Sequence, residues 1–131
     1  MSTADFQVGA AGNRLAALRA QLNGKIKAAE DSFRQSGIGI EVATTADAGG
    51  CSFEVRWTRQ TKDRNWRIQV LQSSEWRDCD HSSPHGRIAM ALAIDDLALK
   101  LAEEAENQAD EIDAALEPKA TLGVPAEEEG T

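Results

Sequence analysis

The run Cys51-Ser-Phe-Glu-Val-Arg-Trp-Thr58, taken with Trp66-Arg-Ile-Gln-Val70, decides the fold. In the first segment Cys51, Phe53, Val55 and Trp57 alternate with Ser52, Glu54, Arg56 and Thr58; in the second, Trp66, Ile68 and Val70 alternate with Arg67 and Gln69. A period of two places all the apolar side chains of each run on one face, as a strand covered on a single side requires. Setting Trp57 opposite Trp66 also aligns Val55 with Ile68 and Phe53 with Val70. Carried outward, the same register pairs Thr58 with Asn65 and Arg59 with Arg64, and leaves Gln60, Thr61, Lys62 and Asp63 as a four-residue hairpin loop.

On either side of this hairpin the pattern weakens, then changes period. Ile38, Ile40 and Val42 alternate with Gly39 and Glu41 as a first short strand, and Thr44 to Gly50 forms a turn-rich connection. Downstream, Gln72-Ser-Ser-Glu75 is a turn and Trp76 to Asp80 a short fourth strand. Beyond the strands the spacing becomes three and four. Leu15, Leu18, Leu22, Ile26, Ala29 and Phe33 draw one stripe along a first helix that starts after an Asn13 cap and ends near Gln35, with Gly37 as its left-handed stop. Ser82-Ser83-Pro84 opens a second helix, since a hydroxyl cap followed by proline suits the first helical turn, and Pro118 closes it. Ala91, Ile94, Ala98, Leu101, Ala105, Ile112 and Ala115 mark its apolar face.

The expected fold is therefore α+β: two long helices packed on one face of a three- to four-stranded antiparallel meander, in the order α-β-β-β-(β)-α. At 131 residues the chain suits one domain, placed over residues 13–117 between a flexible lead (1–12) and a disordered acidic tail (118–131). No apolar run approaches the roughly 18 residues a membrane span needs, and the first residues lack the pattern of a signal peptide, so a cytoplasmic protein that does not engage a membrane is expected.

Charge is uneven. The net charge is −8, yet residues 95–131 hold twelve acidic and two basic side chains (−10), while residues 1–94 hold ten acidic and twelve basic (+2). The positive share concentrates in the hairpin, where Arg56, Arg59, Lys62, Arg64 and Arg67 meet only Glu54 and Asp63. With Trp76 nearby, these five cations form a candidate surface for an acidic protein or a nucleic acid. In the register above, Arg56 faces Arg67 and Arg59 faces Arg64, which is unfavourable unless a counter-ion compensates.

Cys51, Cys79, His81 and His85 make up the inventory of a Cys2His2 zinc site. The spacing argues against it, because Cys-x-His is tighter than the usual gap and Pro84 separates the histidines; the favoured metal assignment is none. There is no phosphate loop, dinucleotide fingerprint, nucleophile elbow or His-Glu-x-x-His pair, and Asp95 and Asp96 leave a helix in different directions. A non-enzyme without a cofactor is expected.

In outline, a long helix, a three-stranded meander and a second long helix resemble the YbaB-type nucleoid-associated proteins. The likeness is one of architecture, carried by the Gly49-Gly50 entry to a strand and the alanine-rich second helix. It implies a small, acidic, dimeric DNA binder. Taken together, the residues point first to a small adaptor or regulatory protein acting through protein–protein contact and forming a homodimer. A nucleic-acid binder using the arginine hairpin comes second, and a zinc-stabilised module third.

Overall fold

The computed structural model describes residues 2–117. The chain divides into two compact units, Met1–Leu101 and Ala102–Thr131. That boundary falls inside the stretch the sequence presents as one domain, and the acidic tail expected over 118–131 lies outside the described residues. The element order is α1 (Thr3–Gln35), β1 (Val42–Ala48), β2 (Cys51–Arg59), β3 (Trp66–Gln72), β4 (Glu75–Asp78), a short 3-10 helix (Cys79–His81) and α2 (Pro84–Leu116). The fold is α+β, with a four-stranded antiparallel meander in the order β1-β2-β3-β4.

Helix α1 begins ten residues before the expected Asn13 cap. Ser2 Oγ accepts from the Asp5 N–H and the Asp5 carboxylate accepts from the Ser2 N–H, a reciprocal capping box that satisfies two donors a helix start would otherwise leave free. Residues 3–12 are thus helical and continue into the rest of α1, where the sequence suggested a lead before the helix. The first turns nevertheless gain nothing from the core: residues 3–21 are exposed throughout, and only Ile26, Glu30 and Phe33 of α1 are buried.

The strands depart from the expected boundaries in two ways. Ile38 and Ile40 precede the first strand instead of forming it, and Thr44 to Ala48 belongs to the sheet, because Gly49 and Gly50 alone make the turn. Both have positive φ (58° and 78°), the conformation of a two-residue hairpin whose twist matches its strands. The second departure is in register. Trp57 faces Ile68 and Val55 faces Val70, two residues out from the expected alignment. A shift of two leaves every side chain on its face, which is why alternation alone could not distinguish the two pairings.

The β2–β3 connection is correspondingly longer, spanning residues 60–65. Asp63 Oδ1 accepts from the Asn65 N–H at 3.0 Å, and Arg64 takes a left-handed φ of 62°. The next turn is tight again, with Ser73 and Ser74 both at positive φ between the paired residues Gln72 and Glu75.

The core of the first unit lies between the sheet and both helices. Val55, Trp57, Ile68 and Val70 present one face of the sheet to Ile26 and Phe33 of α1 and to Ala89, Met90, Ala93, Leu97 and Leu101 of α2. Burying each of the larger side chains contributes about 1.5–3 kcal/mol. Trp57 packs edge-on against Phe33 with centroids 5.2 Å apart and stacks on Trp66 at 5.6 Å, so the tryptophan pair forms diagonally across the ladder.

Two polar devices tie the helices to the strands. Ile68 lies just past the last β3–β4 pair, Gln69 with Asp78, and its N–H donates instead to the buried carboxylate of Glu30 at 2.8 Å. At the start of α2, Ser83 Oγ accepts from the Gly86 N–H as the expected cap. Gln72 clamps this end, its Oε1 accepting from the Ser83 N–H at 2.9 Å and its amide donating to Ser83 Oγ. A Cβ at Gly86 would lie 2.8 Å from Gln72 Oε1, so a side chain there would push the Gln72 amide out of this clamp.

The second unit is described through Ala102–Glu117. It continues α2 to Leu116 and is exposed at every position but the half-buried Ala105. Between 102 and 117 it carries Glu103, Glu104, Glu106, Asp110, Glu111, Asp113 and Glu117 and no basic residue.

Candidate functional site

The hairpin arginines do not oppose one another. Arg56 faces Gln69 and Arg67 faces Thr58, while Arg59 faces Trp66 and Arg64 sits in the loop, so neither expected like-charge pair exists. Arg56 instead donates through Nε and Nη2 to Gln69 Oε1 (3.1 and 2.9 Å), and its guanidinium lies 4.0 Å above the ring of Trp76. Asp78 organises the neighbourhood: its Oδ1 accepts from the amides of Gln60 (2.7 Å) and Gln69 (3.0 Å). Arg67 Nη2 donates to Asp63 at 2.8 Å.

The Asn65 N–H, and after it Arg67, holds the Asp63 carboxyl below the ordinary range, and Asp63 in turn raises the Arg67 guanidinium. Three of the six candidate groups here, Arg56, Trp76 and Arg67, are thus held by internal partners. Arg59, Lys62 and Arg64 form no ion pair among the described residues, and all three are exposed at the hairpin end.

The four zinc candidates are dispersed by role. Cys51 is exposed at the start of β2, whereas Cys79 is buried in the 3-10 helix, its Sγ 3.7 Å from Asn23 Oδ1. Burial pushes the Cys79 thiol up, away from the thiolate that zinc takes. The ring of His85 covers Gly49, and His81 closes the 3-10 helix. Among the described residues no three His, Cys, Asp or Glu side chains are placed to hold a metal.

A different surface is more prominent, and the sequence reading missed it. Residues 15–25 of α1 and the first residues of α2 enclose a groove of about 960 Å³. Leu15, Leu18, Leu22 and Ile88 supply apolar walls, and Arg19, Lys25 and Arg87 stand along it. Among the described residues Arg87 makes one long hydrogen bond, 3.4 Å to the Asp80 carbonyl, and its buried Nε has no partner. Leu15 and Leu18 belong to the same stripe along α1 as the buried Ile26 and Phe33. They remain exposed because α1 meets the sheet only in its second half. The signal available in the sequence was the surplus of apolar positions over what four short strands can cover.

The chain matches no known protein family, no curated protein and no solved structure. Among the described residues no helix is long and apolar enough to cross a membrane.

Proposed function

We propose that this chain is a small, non-enzymatic adaptor or regulatory protein of the cytoplasm that works by binding another protein in the groove between α1 and the start of α2. The observation that carries this reading is the groove's composition. Leucine and isoleucine walls beside arginine and lysine suit an amphipathic helix with an acidic flank, a common mode of protein recognition. Exposed apolar patches of this kind mark contact surfaces more often than they mark solvent-facing decoration.

The test is affinity capture with the full chain from nuclease-treated lysate, comparing the native protein with Leu18→Asp. Leu18 is exposed in the first unit, so the charge enters the groove without entering the core. Capture should be lost in the variant and unaffected by nuclease. Equal capture by both proteins would refute the reading.

Nucleic-acid binding is the second reading, favoured by Arg59, Lys62 and Arg64 at the hairpin end. It requires capture that nuclease abolishes and that weakens steeply with salt, because phosphate contacts release counterions.

A further inference from the structure

Trp57 is 1% exposed, yet its indole Nε1–H has no hydrogen-bond partner among the described residues. A buried donor left unpaired is costly, and a buried indole N–H ordinarily finds an acceptor. Trp57 also borders a second pocket, of about 240 Å³, formed where the end of α1 and residues 37–39 meet the β2–β3 hairpin. Phe33, Gly39 and Trp66 line it beside Trp57, with Arg64 and Asn65 on the hairpin side. All of these residues belong to the first unit.

Size and lining restrict what this pocket takes. Its volume lies below the roughly 300–1,000 Å³ of sites for drug-sized molecules, so it suits a single planar ring system and not a peptide helix. The walls are aromatic, with Trp57 stacked on Trp66 and edge-on to Phe33. Trp66 is half-buried, and Arg34 Nε fixes its backbone by donating to its carbonyl at 2.9 Å. Gly39 leaves room beside it, since even a Cβ there would sit at an ordinary 3.7 Å from Trp66 Cζ2.

The mouth of the pocket is cationic. The loop that carries Arg64 is closed on itself, the Gln60 N–H donating to the Asn65 carbonyl and the Arg64 N–H to the Gln60 carbonyl, each at 2.9 Å. Its one acid, Asp63, is engaged by Arg67 and the Asn65 N–H, and so does not neutralise Arg59, Lys62 or Arg64. Residues 1–101 carry twelve acidic and thirteen basic side chains, so the chain's net negative charge does not reside in the unit that holds this pocket.

We propose that the pocket binds one nucleotide, its base against Trp66 with an acceptor on Trp57 Nε1, and its phosphate on Arg59, Lys62 and Arg64. The site is separate from the groove between α1 and α2, and it deepens the nucleic-acid reading of the hairpin by giving the base a place. An aromatic platform beside a cationic track holds single strands with little regard to sequence, and a free nucleoside monophosphate presents the same chemistry.

Binding is read at low salt by anisotropy of two end-labelled strands of about ten nucleotides, an oligothymidylate and an abasic strand of the same length. Thymidine monophosphate is titrated separately against the native tryptophan fluorescence. The native chain should hold the oligothymidylate about tenfold or more tightly than the abasic strand, the factor that stacking of one base supplies. Gly39→Leu, which fills the pocket beside Trp66, should remove that preference while keeping the native thermal midpoint. Arg64→Gly accepts the left-handed φ of 62° without strain and should weaken both strands while the preference remains.

Quenching by thymidine monophosphate that Gly39→Leu abolishes supports the site and assigns it to free nucleotides; a base preference without such quenching supports it and assigns it to a single strand. If the two strands bind alike and thymidine monophosphate leaves the fluorescence unchanged, the pocket is overturned while phosphate contact at the hairpin stands. A preference that persists in folded Gly39→Leu overturns it as well. If neither strand nor the mononucleotide binds, the pocket and the nucleic-acid reading fail together.

Discussion

Replacing Glu30 separates two contributions that one buried carboxylate makes. Its side chain is only 7% exposed, accepts the Ile68 N–H at 2.8 Å and lies 3.9 Å from Arg34 Nη2. Glu30→Ala leaves that N–H buried without an acceptor, which costs about 1–3 kcal/mol, and removes a packed methylene worth up to about 0.8 kcal/mol; relief of carboxylate desolvation offsets part of the sum. The expected net loss is about 1–3 kcal/mol, or a midpoint lower by about 3–10 °C. Arg34 softens the loss, because it keeps Asp31 at 2.7 Å and the Trp66 carbonyl at 2.9 Å.

Glu30→Gln retains an acceptor oxygen without the charge and should stay within about 1 kcal/mol of the native chain. The two variants also differ in pH dependence. Burial, the largest influence, raises the Glu30 carboxyl above its ordinary 4.5 despite the opposing Ile68 N–H and Arg34. The folded state therefore holds this proton more tightly than the unfolded state, and the associated stability is present below pH 4.5 and lost as pH rises through the folded value. Relative to native, Glu30→Gln should gain stability from pH 4 to pH 7. Thermal and urea unfolding followed by tryptophan fluorescence measures both effects. Equal losses in Glu30→Ala and Glu30→Gln would show that the ion pair, not the strand N–H, is what the carboxylate serves.

Other positions give sharper signs. Gly49→Ala should destabilise more than Gly50→Ala, because both residues have positive φ but only Gly49 would place a Cβ 2.6 Å from the His85 ring; adding His85→Ala should bring the first variant level with the second in thermal unfolding. Ser73→Asn with Ser74→Gly should stabilise by about 1 kcal/mol, since both serines occupy the left-handed conformation that Asn-Gly adopts in a two-residue hairpin turn. Arg67→Ala should raise the Asp63 titration midpoint, read by NMR, yet leave it below the ordinary 3.8 because the Asn65 N–H is the larger cause of the lowering.

The parts of the fold that were legible in the sequence are those where local chemistry admits one solution. Ser82-Ser83-Pro84 can cap a helix and do little else, and alternation fixes which face Trp57 and Ile68 present. Register was not legible, because it depends on how Asp63 and Arg64 shape a loop, and a shift of two preserves every facing. The start of α1 was misread for a different reason: Gly9 and Gly12 suggested fraying, while the capping signal lay in Ser2-x-x-Asp5. The groove was least legible of all. Leu15 and Leu18 have the same spacing as the buried Ile26 and Phe33, and only tertiary packing distinguishes a stripe that meets the sheet from one that extends past it.

The meander closes entirely between neighbours, through connections of residues 49–50, 60–65 and 73–74. Short closures make for rapid sheet formation once the strands exist. During synthesis, however, the sheet is complete at Asp78 while much of its lid is still unmade. Residues 79–101, which carry Met90, Leu97 and Leu101, take about 1–5 s more to add at ordinary elongation rates. For that interval α1 is the sheet's only cover, and the nascent chain is most exposed to unwanted association just before α2 arrives.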